Sequence, residues 1–424
     1  MQLAAPRLIV VALAVLLAAC SRNTQQVEGI DVQLASEIAS IKAVDNHAHP
    51  VRPTLAGEVA DTEYDALPVE SLEAQSDPVR TRPGSPVLLE AHRAIFNGDK
   101  ASAAKTHGRD YAVKVLDQLN IDSMLANRVA LGPGLPSPRF QWVPFADALM
   151  YPLPTDPLVQ NPDQKQFFTL EAKLLDRYYK ESGVASKPAT LDQYLTQVVL
   201  ATLERHRKAG AVAEKFEMAY LRPLAIGNPP KSLAAQVYAM GKGDYGALQD
   251  YIFRFIATEC GRLGMAVHFH TGAGGGGYFN VGGSNPMLLE PLFNDPQLRK
   301  TNFVLLHGGW PFAREETALL TKPNVYLDFS AQTFQNYEHD TAENIRAWLE
   351  YVPEKVMFAT DAYPFAPPEN GWEEAGYIAN VSGRKALGIA LTGMLRDNEI
   401  TRERASDLAR MVMRENARKL YGLK

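Results

Sequence analysis

The sequence predicts an α/β fold, a (β/α)8 TIM barrel with insertions after strands 1 and 3. Three observations lead there. Short apolar runs that end in a polar residue alternate with segments of helical spacing, the pattern of parallel strands joined by crossovers. These units repeat to about eight strands in a chain of 424 residues, which favours a closed barrel over an open sheet. No Gly-x-Gly-x-x-Gly follows a strand: Gly274 to Gly277 come after His270 but lack the dinucleotide pattern and read as a loop. At 46% hydrophobic content the chain can bury a core of this size.

In chain order, Arg7 precedes an apolar run from Leu8 to Ala19, too short to span a bilayer comfortably, and polar residues follow from Ser21. Residues 1–20 are read as a targeting segment and 21–31 as a tether. The end of the run, Leu17-Ala18-Ala19-Cys20, resembles the lipobox of bacterial lipoproteins. That resemblance implies lipidation at Cys20 and a cell-envelope protein facing the periplasm; Ser21, rather than Asp, resembles the outer-membrane pattern. An ordinary cleaved signal peptide or an uncleaved anchor is the alternative. Cys260 is the only other cysteine, so a disulfide framework is excluded and Cys260 reads as a buried spectator.

Residues 32–424 make up the barrel. A first helix is expected at Val32 to Ile41, then a strand that ends Asp45-Asn46-His47-Ala48-His49. A proline-rich excursion over about 51–105 follows, long enough to be a lid over that strand end. A helix from Asp110 to Leu119, strands near Ser123 to Asn127 and Phe140 to Val143, and a second insertion at 152–190 come next. Leu191 to Lys208 has long amphipathic spacing, and Ala211 to Glu217 should be the fourth strand. Helices near Leu233 to Met240 and Leu248 to Leu263 lead to four further strands, Met265 to His270, Phe303 to His307, Val325 to Asp328 and Val356 to Asp361.

The C-terminal ends of barrel strands converge on one mouth. Here they carry His47 and His49, Lys215, His270, His307 and Asp361. Alternate residues of an extended chain share a face, so His47 and His49 point the same way. Imidazoles, a lysine and a carboxylate together suit a divalent metal with a general base. Singly each has a plain alternative: a hydrogen-bonded core histidine for His270, a turn residue for His307 and a helix N-cap for Asp361. His268 shares the face of His270 but lies deeper and reads as core or as support to the ligands. Arg222, just past the fourth strand, could clamp a substrate carboxylate, with a surface ion pair as the alternative. His92, His107, His206 and His339 are given no role.

Beyond these positions the chain resembles the amidohydrolase superfamily, in particular the amidohydrolase-related branch that holds decarboxylases, lactonases and the nodulin-like domains fused to glutamine synthetase. The likeness runs from about Lys208 to Tyr421. It rests on His270-Thr271-Gly272, Ser284-Asn285-Pro286, Val304-Leu305-Leu306-His307, Pro311-Phe312, Asn324-Val325-Tyr326-Leu327-Asp328, Lys355 to Asp361 and Asn416 to Tyr421. Residues 51 to about 205 match poorly, so substrate choice would lie there. The resemblance implies that His47, His49 and His270 ligate metal and that Asp361 touches metal and takes a proton from the activated water. It implies a second-metal or acid role for His307. Lys215 sits where binuclear relatives carry a carbamylated bridging lysine; the alternatives are a substrate-carboxylate binder or an ion pair with Glu217 or Glu214.

The expected function is therefore a metal-dependent hydrolase, zinc-type with one or two ions, acting on an amide, lactone or ester-like bond of a small molecule. A decarboxylase is the first alternative, favoured by a single ion and an unmodified lysine. A non-catalytic binding lipoprotein is the second. A net charge of −5, from 43 basic and 48 acidic residues with no basic run, removes nucleic acid as a partner. Membrane association would come through Cys20, and homo-oligomerisation is left open.

Overall fold

The computed structural model describes residues 29–54, 57–68, 77–97, 99–365 and 370–424. The lipobox and Cys20 lie outside these residues. Among the described residues there are eight strands: β1 Ala43–Ala48, β2 Ile121–Asn127, β3 Phe140–Val143, β4 Ala213–Phe216, β5 Ala266–His270, β6 Phe303–Leu306, β7 Val325–Asp328 and β8 Val356–Met357. They form a three-stranded sheet, β1-β2-β3, and a five-stranded sheet, β4 to β8, each in sequence order. Every pairing is parallel. The two sheets meet at both margins. Between β3 and β4, Lys215 N donates to Pro144 O (2.8 Å) and Ala146 N to Lys215 O (3.0 Å). Between β8 and β1, Asn46 N donates to Phe358 O (3.0 Å), Asp361 N to His47 O (2.8 Å) and His49 N to Ala362 O (2.9 Å). With both margins bonded, the eight strands follow one another round a ring, as the sequence pattern predicts.

The last expected strand is cut short. Val356 and Met357 alone keep the ladder, because Thr360 N and Oγ1 turn to the Asp45 carboxylate (2.9 and 2.6 Å) and Asp361 adopts a φ of +55°. The excursion after β1 is not wholly irregular. It contains helices Pro86–Phe96 and Lys100–His107, N-capped by Ser85 and Asp99, and Leu88, Ala91, Ile95 and Phe96 give the first of these its buried face. A 20-residue helix, Pro162–Glu181, fills the second insertion. The Leu191 to Lys208 helix forms as expected but passes through a π-helical stretch at Leu195–Leu200.

The interior of the ring is closed at one end. Val44, Leu125, Val143, Ala213, Val304 and Met357 form an inner apolar layer, and Ala417, Leu420, Tyr421 and Leu423 of the C-terminal segment pack onto it. His268 belongs to this end: its Nε2 pairs with Tyr421 Oη (2.8 Å), which donates to Asn46 Oδ1 (2.6 Å). Cys260 is buried in the helix Tyr245–Leu263. Among the described residues no helix is long and apolar enough to cross a membrane.

Candidate metal centre

The opposite end opens into a cavity of about 330 Å3 that His47, His49, Lys215, His270, His307 and Asp361 all line. Six residues scattered from 47 to 361 thus meet where the strand ends converge. His47 Nε2 lies 3.1 Å from Asp361 Oδ1, His49 Nε2 3.6 Å from the same oxygen, and His307 Nδ1 3.7 Å from Asp361 Oδ2. His307 Nε2 and His270 Nδ1 are 3.0 Å apart. Two of these residues hold left-handed backbone, His307 with a φ of +69° and Asp361 with +55°. Such conformations persist only where the surroundings impose them, and they gather at functional sites.

Hydrogen bonds fix which ring nitrogen each histidine turns inward. Ser330 Oγ donates its one proton to Asp328 Oδ1 (2.5 Å), so it accepts from His307 Nδ1–H (2.8 Å). His307 Nε2 is then a lone pair that accepts from His270 Nδ1–H, which leaves His270 Nε2 unprotonated. That atom is buried without a partner. His49 Nδ1 donates to Tyr64 O (3.2 Å), leaving Nε2 bare toward Asp361. His47 Nδ1 contacts the Asn127 carboxamide, whose oxygen is otherwise buried and unpartnered. A half-turn of that amide lets the oxygen accept Nδ1–H and leaves His47 Nε2, also buried without a hydrogen-bond partner, as a lone pair.

The electrostatics agree. Burial pushes the His47 and His307 imidazoles far below the usual range and holds His49 and His270 at about 3, with the nearby Lys215 charge adding to the effect at His47, His49 and His270. They are therefore neutral at pH 7, the form that ligates metal. The carboxyls respond in the opposite sense: burial and the charge of Glu217 lift Asp65 well above the usual range, and burial lifts Glu217 against the pull of Lys215. A pocket of bare imidazole nitrogens and buried carboxyls fits a divalent cation. Ligand atoms of His47, His307 and Asp361 lie within 4.8 Å of one another, as do those of His49, Asp65 and Glu217.

Lys215 takes the ion-pair arrangement: its Nζ is 3.2 Å from Glu217 Oε1. Arg222 does not line the cavity, contrary to the carboxylate-clamp expectation. Its guanidinium is spent on Asp250 (2.7 Å), Gln249 Oε1 (2.9 Å) and Ala225 O (2.9 Å), because the chain turns away from the mouth after the 3-10 turn Met218–Tyr220. The sequence reading assigned no site role to Asp65, Glu217, Asn127 or Ser330. Glu217 alone carried a signal, the two-residue step from Lys215 on the same strand face.

This chain belongs to the amidohydrolase family. The family model described as amidohydrolase matches residues 44–423, nearly the whole described barrel. Among solved structures, this amidohydrolase is similar to a protein from Lactobacillus casei titled a metal-dependent hydrolase, at 16% identity and TM-score 0.63, covering 93% of this chain and 98% of that one. It is also similar to a glucuronate isomerase from Caulobacter crescentus, at 15% identity and TM-score 0.59, over 92% and 93% of the two chains. A uronate isomerase from Thermotoga maritima aligns at 14% identity and TM-score 0.57, over 92% and 96%. At these identities the likeness concerns the fold. No curated protein matches the chain in sequence.

Proposed function

We propose that this amidohydrolase is a zinc-type hydrolase of amide, lactone or ester-like bonds in small molecules, with His47, His49, His270 and Asp361 holding the ion. The observation that carries this reading is the Asp361 carboxylate. It lies 3.1 Å from a bare His47 nitrogen in a cavity walled by neutral imidazoles, where it can both touch a cation and exchange a proton. A divalent ion held there supplies Lewis-acid activation of water and of the scissile carbonyl. Asp361 accepts the proton of the attacking water and returns it to the leaving group. His307, whose Nδ1–H donates to Ser330 and whose Nε2 accepts from His270, fixes the His270 ring with its Nε2 free for the ion. Asn127 and Tyr64 hold the ligand histidines in the required tautomer. Lys215 acts in this reading as an ammonium paired to Glu217; a carbamylated Lys215 bridging two ions would require that pair to part.

The test is Asp361→Asn in zinc-loaded protein, with metal content and turnover of an amide and lactone panel measured together. Retained metal with turnover lowered by about 100-fold or more is the expected outcome; retained metal with unchanged turnover removes Asp361 as the base. Two ions per chain together with a carbon dioxide adduct on Lys215 by mass spectrometry would favour the bridged arrangement. One ion beside an unmodified Lys215 also suits the decarboxylase reading, while the lack of an arginine among the described lining residues weighs against an acidic substrate; carbon dioxide release from a carboxylate panel without amide or lactone turnover would replace hydrolysis with decarboxylation.

We also propose that Cys20 is lipidated and tethers the enzyme to the periplasmic face of the envelope, the outer membrane in particular. The support is Leu17-Ala18-Ala19-Cys20-Ser21 after an apolar run. Cys20→Ser should move the protein from the membrane fraction to the soluble one; an unchanged distribution would sink the anchor.

A further inference from the structure

The glycine run Gly274 to Gly277 after β5 has no role in the site described so far, and neither has the tyrosine beside it. Tyr220 closes the 3-10 turn Met218–Tyr220 just past β4 and lines the cavity. Its ring centroid stands 4.7 Å from that of His270. Phe279 and Phe167 meet the same ring edge-on, at 4.8 and 5.8 Å. Glycine permits this packing: a Cβ on residue 274 would lie 2.6 Å from the Phe279 ring, so the loop can close over Phe279 only without a side chain there.

These contacts fix where the phenol sits, and the loop fixes how its hydroxyl is used. Tyr220 Oη accepts from Gly275 N–H (3.4 Å), and its own proton meets no acceptor among the described residues. Burial first, then the Glu217 and Asp361 carboxylates, raises the phenol well above its ordinary range, although any phenol near 10 keeps its proton at pH 7. A neutral donor therefore stands in the cavity wall against a ligand ring, within the fields of the groups that do the chemistry.

The hydrolytic reading lacks such a donor. His47, His49 and His270 turn lone pairs inward, both His307 nitrogens are engaged, and Lys215 is paired with Glu217. Attack of water on a carbonyl moves the π pair onto its oxygen, and a donor already in place stabilises that charge without reorganising.

We propose that Tyr220 is a further catalytic residue, whose Oη–H donates to the scissile carbonyl oxygen while the His270 ring beside it turns Nε2 to the ion. This rests on the hydrolase reading above. The water oxygen bonds to the carbonyl carbon, the π pair collects on the carbonyl oxygen, and it returns as the bond to the leaving group breaks. Asp361 carries the proton from water to that group. The Tyr220 proton stays on Oη throughout.

The experiment compares two straight-chain probes of equal length by calorimetry on zinc-loaded protein. One is an alkyl methylphosphinate, whose tetrahedral oxygens stand for the charged carbonyl oxygen; the other is an alkanethiol, which seeks metal but offers no oxygen. Tyr220→Phe keeps the ring and its packing. It should bind the phosphinate about tenfold or more weakly, with thiol affinity within about twofold and zinc content unchanged, and should lower kcat by about 100-fold on any amide or lactone that the wild type turns over. Unchanged phosphinate affinity in Tyr220→Phe overturns the proposal and leaves the hydrolase reading standing. So does a loss seen instead in Asn336→Ala, since Asn336 Nδ2 is another buried donor without a partner in the cavity wall. Weaker binding of both probes together with loss of zinc would make Tyr220 a mere support for His270 and overturns it too. If neither probe binds the zinc-loaded wild type, the metal centre itself fails and the proposal falls with it.

Discussion

His47 and His49 reach metal-binding form only because other side chains hold their far nitrogens. Asn127 ends β2, and its register is set by the pairing of Ala48 with Ala126, which brings the carboxamide against His47 Nδ1. Asn127→Leu preserves bulk but removes that acceptor, so zinc affinity is expected to fall about 10- to 100-fold, read by competition with a chelating dye. The two-residue spacing of the histidines was visible in the sequence, as was the carboxylate at 361. Asn127 and Ser330 were not, since nothing in a strand-end asparagine or a loop serine distinguishes a histidine's support from an ordinary turn. Arg222 shows the opposite error: its type suited a carboxylate, but the fold commits it to Asp250.

At the scale of elements, the mouth depends on close backbone approach between the loops after β5 and β6. Gly272 has a φ of +75°, and a Cβ there would collide with the Trp310 carbonyl and the Gly309 backbone. Gly272→Ala should therefore cost about 3 kcal/mol or more in denaturant unfolding, from overpacking added to left-handed strain. Far from the mouth, Asp31 N-caps the first helix, Val32–Ser40, and pairs bidentately with Arg402 (2.6 Å each). The Arg402 guanidinium and the Leu34 N–H hold its carboxyl down at about 2. A carboxyl bound more tightly as the anion in the folded state gives stability that is present above its unfolded value near 3.8 and is lost as pH falls toward 2. Asp31→Asn keeps the cap and loses the charge. For this largely solvent-screened pair the expected loss at pH 7 is only ~0.5 kcal/mol, with the two proteins converging below pH 4 in acid unfolding curves. The insertions were legible as insertions through their prolines. Their helices were less so, because the buried stripe of Pro86–Phe96 follows immediately on irregular chain.

For the whole molecule, the ligand set joins residue 47 to residue 361, so a bound ion ties the first strand to the last across the β8–β1 margin. Chelation should lower the melting temperature and zinc should restore it. At 100-fold excess over its dissociation constant the ion adds about 2.7 kcal/mol. Calorimetric scans with and without chelator check this, and an unchanged melting temperature would argue against a site formed only in the folded chain. By itself the sequence determined the alternation of strands and helices, the polar residues at the strand ends and the family likeness, because periodicity and spacing are local and survive without coordinates. Only the tertiary structure decided which nitrogen each histidine presents, that Glu217 rather than solvent meets Lys215, and that Arg222 is occupied elsewhere. Those facts depend on contacts between residues tens to hundreds of positions apart, and burial alone sets how strongly each charge is felt.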